Sequence, residues 1–170
     1  EKGFFSCTTP EIAARAGVST GIVYGYFRDK RDILLCVLEI YINRSFMPVM
    51  QIMREVALPA DVSEIVRRLM DKTIEIHRSN AALHETLHSL TASDKAVADK
   101  FLELENHITE SVTAALPRLG VHTSHPAEKV HLAMNLMQSF SHEYVFDNHS
   151  YIDYAAMYEI VCDAVTKLFV

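Results

Sequence analysis

Two histidines one helical turn apart are the first residues in this sequence whose types and spacing could do chemistry. His84 and His88 flank Glu85 in the run HETLH. The pattern His-Glu-x-x-His can hold zinc on two imidazoles while the glutamate activates a water molecule. A zinc hydrolase also needs a third ligand, for which His107 or Asp94 could be named only by guesswork. Zinc hydrolysis and a regulatory metal site remain alternatives to the simpler interpretation, ordinary histidines of a pocket or helix surface.

The rest of the sequence gives little support for an enzyme. The cysteines Cys7, Cys36 and Cys162 stand far apart without a paired spacing, as is typical of a reducing compartment. No phosphate loop or Ser-His-Asp arrangement is found. The longest apolar run, residues 33–42, is interrupted by Glu39 and is too short to span a bilayer. We expect a cytoplasmic protein with no membrane partner, no enzymatic activity, no cofactor and no bound metal.

Composition and charge divide the chain into two parts. Five glycines and five prolines in 170 residues, with 49% hydrophobic residues, favour an all-α fold with a sizeable core. Residues 1–44 carry six Lys and Arg against five Asp and Glu, whereas residues 45–170 carry ten against seventeen. A nearly neutral N-terminal part on an acidic remainder predicts separate roles, and only the first suits nucleic acid.

The run TTPEIAARAG predicts a helix that starts in one of two overlapping ways. Thr8 with Glu11 forms a capping box, and Thr9 before Pro10 is an N-cap followed by proline at the first helical position. Gly17 tolerates the left-handed conformation that ends such a helix. We therefore expect a short helix followed by a tight turn.

A second short helix follows, capped by Ser19. Its projection predicts an inward face of Ile22, Val23, Tyr26 and Phe27 and an outward face of Thr20, Gly21, Tyr24 and Gly25. Each interior glycine costs a helix roughly 1 kcal/mol relative to alanine. Two glycines on the outward face therefore indicate close approach to a partner, such as the major groove of DNA.

These residues carry a family resemblance. The stretch from Thr8 to Glu39, with the Tyr-x-Tyr-Phe-x-x-Lys run from Tyr24 to Lys30 and the approach from Glu1 to Phe4, closely resembles the DNA-binding head of TetR/AcrR-type transcriptional regulators. Such heads have three helices, and this sequence starts at the end of the first. We therefore expect an N-terminally truncated helix-turn-helix head at residues 1–45 and a ligand-binding and dimerisation domain at residues 46–170.

The resemblance also implies a DNA-binding site and partners. Phosphate contacts are implied for Thr9, Tyr24, Tyr26 and Lys30, and base or groove contacts for Ser19, Thr20 and Gly21. Gly25 departs from the family pattern, which often has a larger residue there. The implied partners are a palindromic double-stranded operator, a small-molecule effector and a second copy of the chain.

The remaining sequence reads as a series of helices. A long helix begins at Lys30, and Pro48 should bend or end it. The helix predicted at residues 126–146 is apolar around most of its circumference, and another is predicted at residues 152–169. The resemblance implies that these two helices form a four-helix dimer interface, which we expect to include Met137 and Phe140.

An effector cavity is expected between the helix around residues 97–115 and the helix at residues 126–146. The expected lining is mostly apolar, with few polar groups, and suits a small apolar or amphipathic molecule. The residues expected to line it are His84, His88, Phe101, Leu104, Glu105, Ile108, Met134, Met137, Ser141 and Tyr144. The sequence thus predicts a repressor released from its operator by this molecule; an activating or ligand-independent regulator is the alternative.

Overall fold

A computed structural model describes residues 4–79 and 81–170, and over these residues the protein is all-helical, as predicted. The eight α-helices are α1 (Thr9–Ala16), α2 (Thr20–Tyr26), α3 (Lys30–Glu55), α4 (Val62–Ser79), α5 (Ala81–Thr91), α6 (Lys95–Ala115), α7 (Pro126–Phe146) and α8 (Tyr154–Thr166). A 3₁₀ turn, Leu116–Leu119, follows α6.

The chain forms two compact units. The described residues of the first unit are 4–43 and 82–101, and those of the second are 44–79, 81 and 102–170. The predicted boundary at residue 45 lies close to the division within α3. Residues 82–101 nevertheless pack with the first unit, because apolar side chains of α5 and α6 share a core with α3. Its buried members are Leu34, Leu38, Tyr41, Leu87, Leu90 and Val97. The functional division at residue 45 stays a prediction.

Local capping sets the start of α1 and α2. Thr8 is the N-cap of α1: its amide donates to Glu11 Oε2 over 2.8 Å, and its hydroxyl accepts from the Glu11 amide over 3.4 Å. The capping box is thus the start that forms. Gly17 ends α1 at a φ of 71°, and Ser19 Oγ accepts from the Ile22 amide over 3.3 Å. The predicted helix, tight turn and helix are confirmed.

The predicted inward face of α2 is only partly correct. Val23 is buried, but Ile22 is 51% exposed and Tyr26 is 81% exposed. The helix is less than two turns long and packs against α1 along the side that holds Val23. The helical projection assigned a wide arc of α2 to the core, but a neighbouring helix covers only a narrow arc. The apolar residues on either side of Val23 therefore stay exposed.

Helix α3 runs through Pro48 and ends at Glu55, so the proline does not end it. Proline removes one backbone hydrogen bond, but a long helix with packed turns on both sides can absorb that loss. By length and composition alone, α3 could cross a membrane, with a mean hydropathy of 1.5 over 18 residues. Core helices of water-soluble proteins meet the same criterion.

The second unit is built on α4, α7 and α8, which pack against one another. Their shared core contains the fully buried residues Met70 and Val165 together with Phe140, which is 2% exposed. Helix α7 has the bounds that the sequence predicts. Helix α8 is shorter than predicted, because the Asp153 carboxylate caps it by accepting from the amides of residues 155 and 156.

Candidate DNA-binding surface and effector cavity

The N-terminal end of α2 presents small and hydroxyl-bearing residues to solvent. Ser19 and Gly21 are exposed, Thr20 is half-buried, and Tyr24 is 54% exposed. A Cβ built on Gly21 would meet only Ser19 Oγ, at 3.8 Å, and one built on Gly25 would meet nothing within 4 Å. Neither glycine has a positive φ. Neither the backbone conformation nor packing within the described part of the chain therefore requires glycine at these positions.

Two of the residues expected at phosphates are engaged within the chain. Thr9 is 7% exposed, so its hydroxyl faces the protein. The Lys30 ammonium donates to the carbonyl oxygens of Phe4 over 2.8 Å and Cys7 over 3.0 Å, with a longer contact of 3.4 Å to that of Phe5. It also lies 4.6 Å from the centroid of the Phe4 ring. Lys30 thus ties the segment before α1 to the start of α3.

Arg28 is a cation that the sequence analysis passed over. It follows α2 directly, and its side chain is 88% exposed. Its guanidinium donates to Asp32 Oδ1 over 3.2 Å, and this hydrogen bond lowers the pKa of the Asp32 carboxyl. The run FRDK contains this signal, because an arginine just beyond an uncharged helix can meet phosphate.

The HETLH residues lie in the aromatic part of the first unit. His84 is 3% exposed, and its Nδ1 lies 2.7 Å from the Tyr41 hydroxyl. The His84 and His88 rings have centroids 4.3 Å apart, and His88 lies 5.1 Å from the Phe101 ring. Glu85 is exposed. These contacts make His84 a packed residue of the core around α3, α5 and α6.

An apolar cavity of about 110 Å³ lies within the second unit. Three residues expected at the effector, Ile108, Met134 and Met137, line it. Among the described residues of the lining, the polar side chains are Thr73 and Gln138. The remaining walls are Val49, Met53, Val62, Ile65, Val66, Leu69, Val112, Leu116, Leu119, Val121, Val130, Ala133, Val165 and Phe169. The α4 residues of this lining were not among those expected from the sequence, where an apolar stripe is their only signal.

Other residues expected at the effector lie elsewhere in the second unit. Leu104 is buried, and Glu105 is half-buried. Ser141 is fully buried, with its Oγ 3.8 Å from Met70 Sδ. Tyr144 lines a separate, more open cleft between α4, α7 and α8. None of these four residues lines the 110 Å³ cavity. The expected lining therefore combined residues that lie at different places in the structure.

The exposed apolar residues of α7 and α8 are not the ones that were expected at the dimer interface. Met137 is 7% exposed and Phe140 is 2% exposed, and both belong to the core shared with α4. Their place at an interface is corrected, because the third helix covers them within one subunit. The exposed apolar residues are instead Leu132 (48%) and Leu136 (36%) on α7 and Ile160 (67%) on α8.

Comparison with known proteins identifies the class of the N-terminal part. Residues 1–37 match the family described as bacterial regulatory proteins, tetR family. The HTH-type transcriptional regulator HbdR of Aromatoleum sp. (strain CIB) is 49% identical over 39 residues, which are 23% of this chain and 17% of HbdR. The chain therefore aligns with much less than two thirds of that relative.

Solved structures of low sequence identity share the fold over nearly the whole chain. The fatty acid degradation regulator FadR from Bacillus halodurans superposes with a TM-score of 0.72 at 20% identity, over 98% of this chain and 87% of FadR. The TetR family regulator PfmR from Thermus thermophilus gives 0.67 at 19% identity, over 98% and 91%. The N-terminal match indicates a TetR-type DNA-binding head at residues 1–37, and the superpositions show that nearly the whole chain shares the fold of these regulators. Proteins of this family are DNA-binding regulators and not enzymes.

Proposed function

We propose that the protein is a homodimeric repressor that binds a palindromic operator and is released by a small apolar or amphipathic effector. The observation that carries the proposal is the exposed N-terminal end of α2, where a Cβ built on Gly21 would meet only Ser19 Oγ, at 3.8 Å. A backbone left uncovered on a helix face lets that face approach a base edge or a phosphate closely.

Within this surface, the residues divide by role. Ser19, Thr20 and Gly21 reach base edges in the major groove, because they form the first turn of the helix that would enter it. Tyr24 and Tyr26 present exposed hydroxyls to phosphates, with Arg28 beyond them. Thr9 contributes a backbone amide of the first turn of α1 instead of its buried hydroxyl. Lys30 contacts phosphate only if its ammonium gives up one of its hydrogen bonds to a carbonyl oxygen.

The 110 Å³ cavity is the effector site of this proposal. Its size limits the apolar group it can hold as built, since an engineered cavity of about 150 Å³ accommodates benzene. A branched alkyl group or short chain fits, and a longer chain requires the flexible side chains of Met53, Met134 and Met137 to move. FadR is described as a regulator of fatty acid degradation, which supports an acyl chain as the effector class.

The dimer forms through the outer face of α7 and α8. Leu132, Leu136 and Ile160 supply exposed apolar groups on two helices in contact, and a two-fold axis would pair this face with itself. Such pairing presents two α2 helices to the two halves of a palindrome.

The experiment that tests DNA binding compares Gly21→Ala with Gly25→Ala. Both substitutions should raise helix stability by up to about 1 kcal/mol, because alanine replaces a helical glycine. On an operator obtained by selection from random duplexes, Gly21→Ala should weaken binding at least ten-fold, whereas Gly25→Ala should change it less than three-fold. Equal, unchanged affinities in both variants would contradict the placement of α2 on DNA.

The effector proposal is tested separately by the affinity of octanoate for the free dimer and for the operator-bound dimer. Coupling between sites is reciprocal, so an effector that releases DNA must bind the DNA-bound dimer more weakly. Met134→Trp should fill the cavity and abolish octanoate binding while DNA binding persists. Octanoate binding that is unchanged by Met134→Trp, or equal with and without operator, would argue against this site.

A further inference from the structure

A pair of histidines in the second unit has the geometry of metal ligands. His77, near the C-terminal end of α4, is 3% exposed, and its Nδ1 lies 2.8 Å from the Thr73 carbonyl oxygen. A carbonyl can only accept, so Nδ1 carries the proton and Nε2 carries the lone pair. Histidines that bind metals almost always donate their second nitrogen to a carbonyl or carboxylate in this way.

His142 on α7 has a corresponding arrangement. Its Nε2 lies 3.5 Å from Asp147 Oδ2, and its side chain is 41% exposed. A carboxylate beside one ring nitrogen favours a proton there and makes the other nitrogen a stronger ligand. His142 is thus held by an acceptor, as His77 is, but it lies where a hydrated ion can arrive from solvent.

The two rings are close enough to share one ion. Each residue offers a ring nitrogen, and these ligand atoms lie within 4.8 Å of each other. The ring centroids are 6.4 Å apart with planes at 78°, and the Phe146 ring lies 6.2 Å from His77 and 5.0 Å from His142. Zinc binds imidazole nitrogen at about 2.0–2.1 Å, so two nitrogens on one ion lie at most about 4.2 Å apart, and rotation of the partly exposed His142 ring would have to close any remaining gap.

We propose that His77 and His142 bind one divalent late transition metal ion, such as Zn²⁺ or Co²⁺. Imidazole nitrogen suits these ions rather than Mg²⁺ or Ca²⁺, which prefer oxygen. Water or a donor atom of a small ligand completes the coordination. Both residues and both of their oxygen partners belong to the second unit, so none of them lies on the proposed DNA-binding surface of α2.

The test is a titration of the untagged, chelator-treated dimer with Co²⁺, followed by its visible absorption bands and by competition with Zn²⁺. We expect one equivalent per chain to bind saturably and His142→Gln to weaken binding at least ten-fold. His131→Gln, an exposed histidine on the same helix, is the matched control and should bind as the unmodified chain does.

His77→Gln should have the effect of His142→Gln, provided that circular dichroism shows a folded chain. His142 is partly exposed, so its variant remains informative even if the buried His77 variant unfolds. Absence of saturable Co²⁺ binding, or binding in His142→Gln as tight as in His131→Gln, would overturn the proposal. Neither outcome bears on operator binding, which is measured without metal.

Discussion

Helices α2 and α7 show two different ways of holding a helix in place. In α2, seven residues bury one side chain, Val23, and the helix depends on the Ser19 cap and on its contact with α1. In α7, 21 residues bury five side chains, including Met137 and Phe140, against α4 and α8. The weakly buried helix leaves most of its surface exposed for the proposed DNA contacts, whereas the deeply buried one supplies stability.

The largest effect expected from this comparison is in the core of the second unit. Phe140→Ala should lower the free energy of unfolding by about 3 to 5 kcal/mol, because a buried aromatic ring is removed and a cavity is left. Ile22→Ala on α2 is the control and should cost less than about 1 kcal/mol, since Ile22 is 51% exposed. Urea unfolding measures both, and similar costs would show that α2 is buried more deeply than described.

The next effect concerns the exposed face of α7 and α8. Ile160→Glu should dissociate the dimer, raising its dissociation constant by at least about 100-fold, because an unpaired charge would be buried at the interface. Each monomer should stay folded, since Ile160 is 67% exposed within one chain. Leu102→Glu on α6, where Leu102 is 56% exposed, is the control. A dimer of undiminished strength in sedimentation of Ile160→Glu would place the interface elsewhere.

The same comparison explains what could be predicted from the sequence. Caps and turn residues act over three or four positions, so Thr8, Gly17 and Ser19 predicted both ends of α1 and the start of α2 correctly. The bounds of α7 followed from its proline and from the length of its apolar pattern. The outward placement of Gly21 likewise needed only helical geometry. In the head, therefore, local sequence signals predict the elements, whereas the DNA contacts of their residues stay predictions.

Long-range packing was beyond the same reasoning. An apolar pattern shows that Met137 is buried but not whether a helix of the same chain or of a second chain covers it. The same limit placed residues 82–101 in the second domain, although they share a core with α3. The acceptors of Lys30 could not be found either, since they are backbone oxygens more than 20 positions away in sequence.

A smaller effect separates the two roles considered for Lys30. Lys30→Met should lower the free energy of unfolding by about 1 to 2 kcal/mol, because two well-formed charged hydrogen bonds to carbonyls are lost. If Lys30 acts by positioning the segment before α1, operator binding should weaken without a change in its salt dependence. Arg28→Met is the control. It should reduce the slope of log affinity against log salt concentration by about one, with little loss of stability. A reduced salt slope in Lys30→Met would return Lys30 to the phosphate contacts.

The smallest effect expected is the pH dependence of a surface ion pair in the first unit. Arg31 donates two hydrogen bonds to Asp94, of 2.7 and 2.8 Å. Asp94 also accepts from the amides of Ala96 and Val97, at 2.9 and 3.4 Å, at the start of α6. The hydrogen bond from Arg31 is the main cause that lowers the pKa of Asp94 from 3.8 to about 2. The hydrogen bonds from the two amides lower it by smaller amounts.

Because the folded state has the lower pKa, the carboxylate stabilises the fold fully at pH values well above 3.8. Its contribution should shrink as the pH falls below that value and disappear as the pH passes about 2. The difference in unfolding free energy between the unmodified chain and Asp94→Asn should therefore be constant from about pH 7 to 5 and narrow steadily below about pH 4. Asp99→Asn, which removes the exposed partner of Lys95, should show little difference at any pH. A gap for Asp94→Asn that widened with acid would mean that Asp94 is not held as a carboxylate by Arg31.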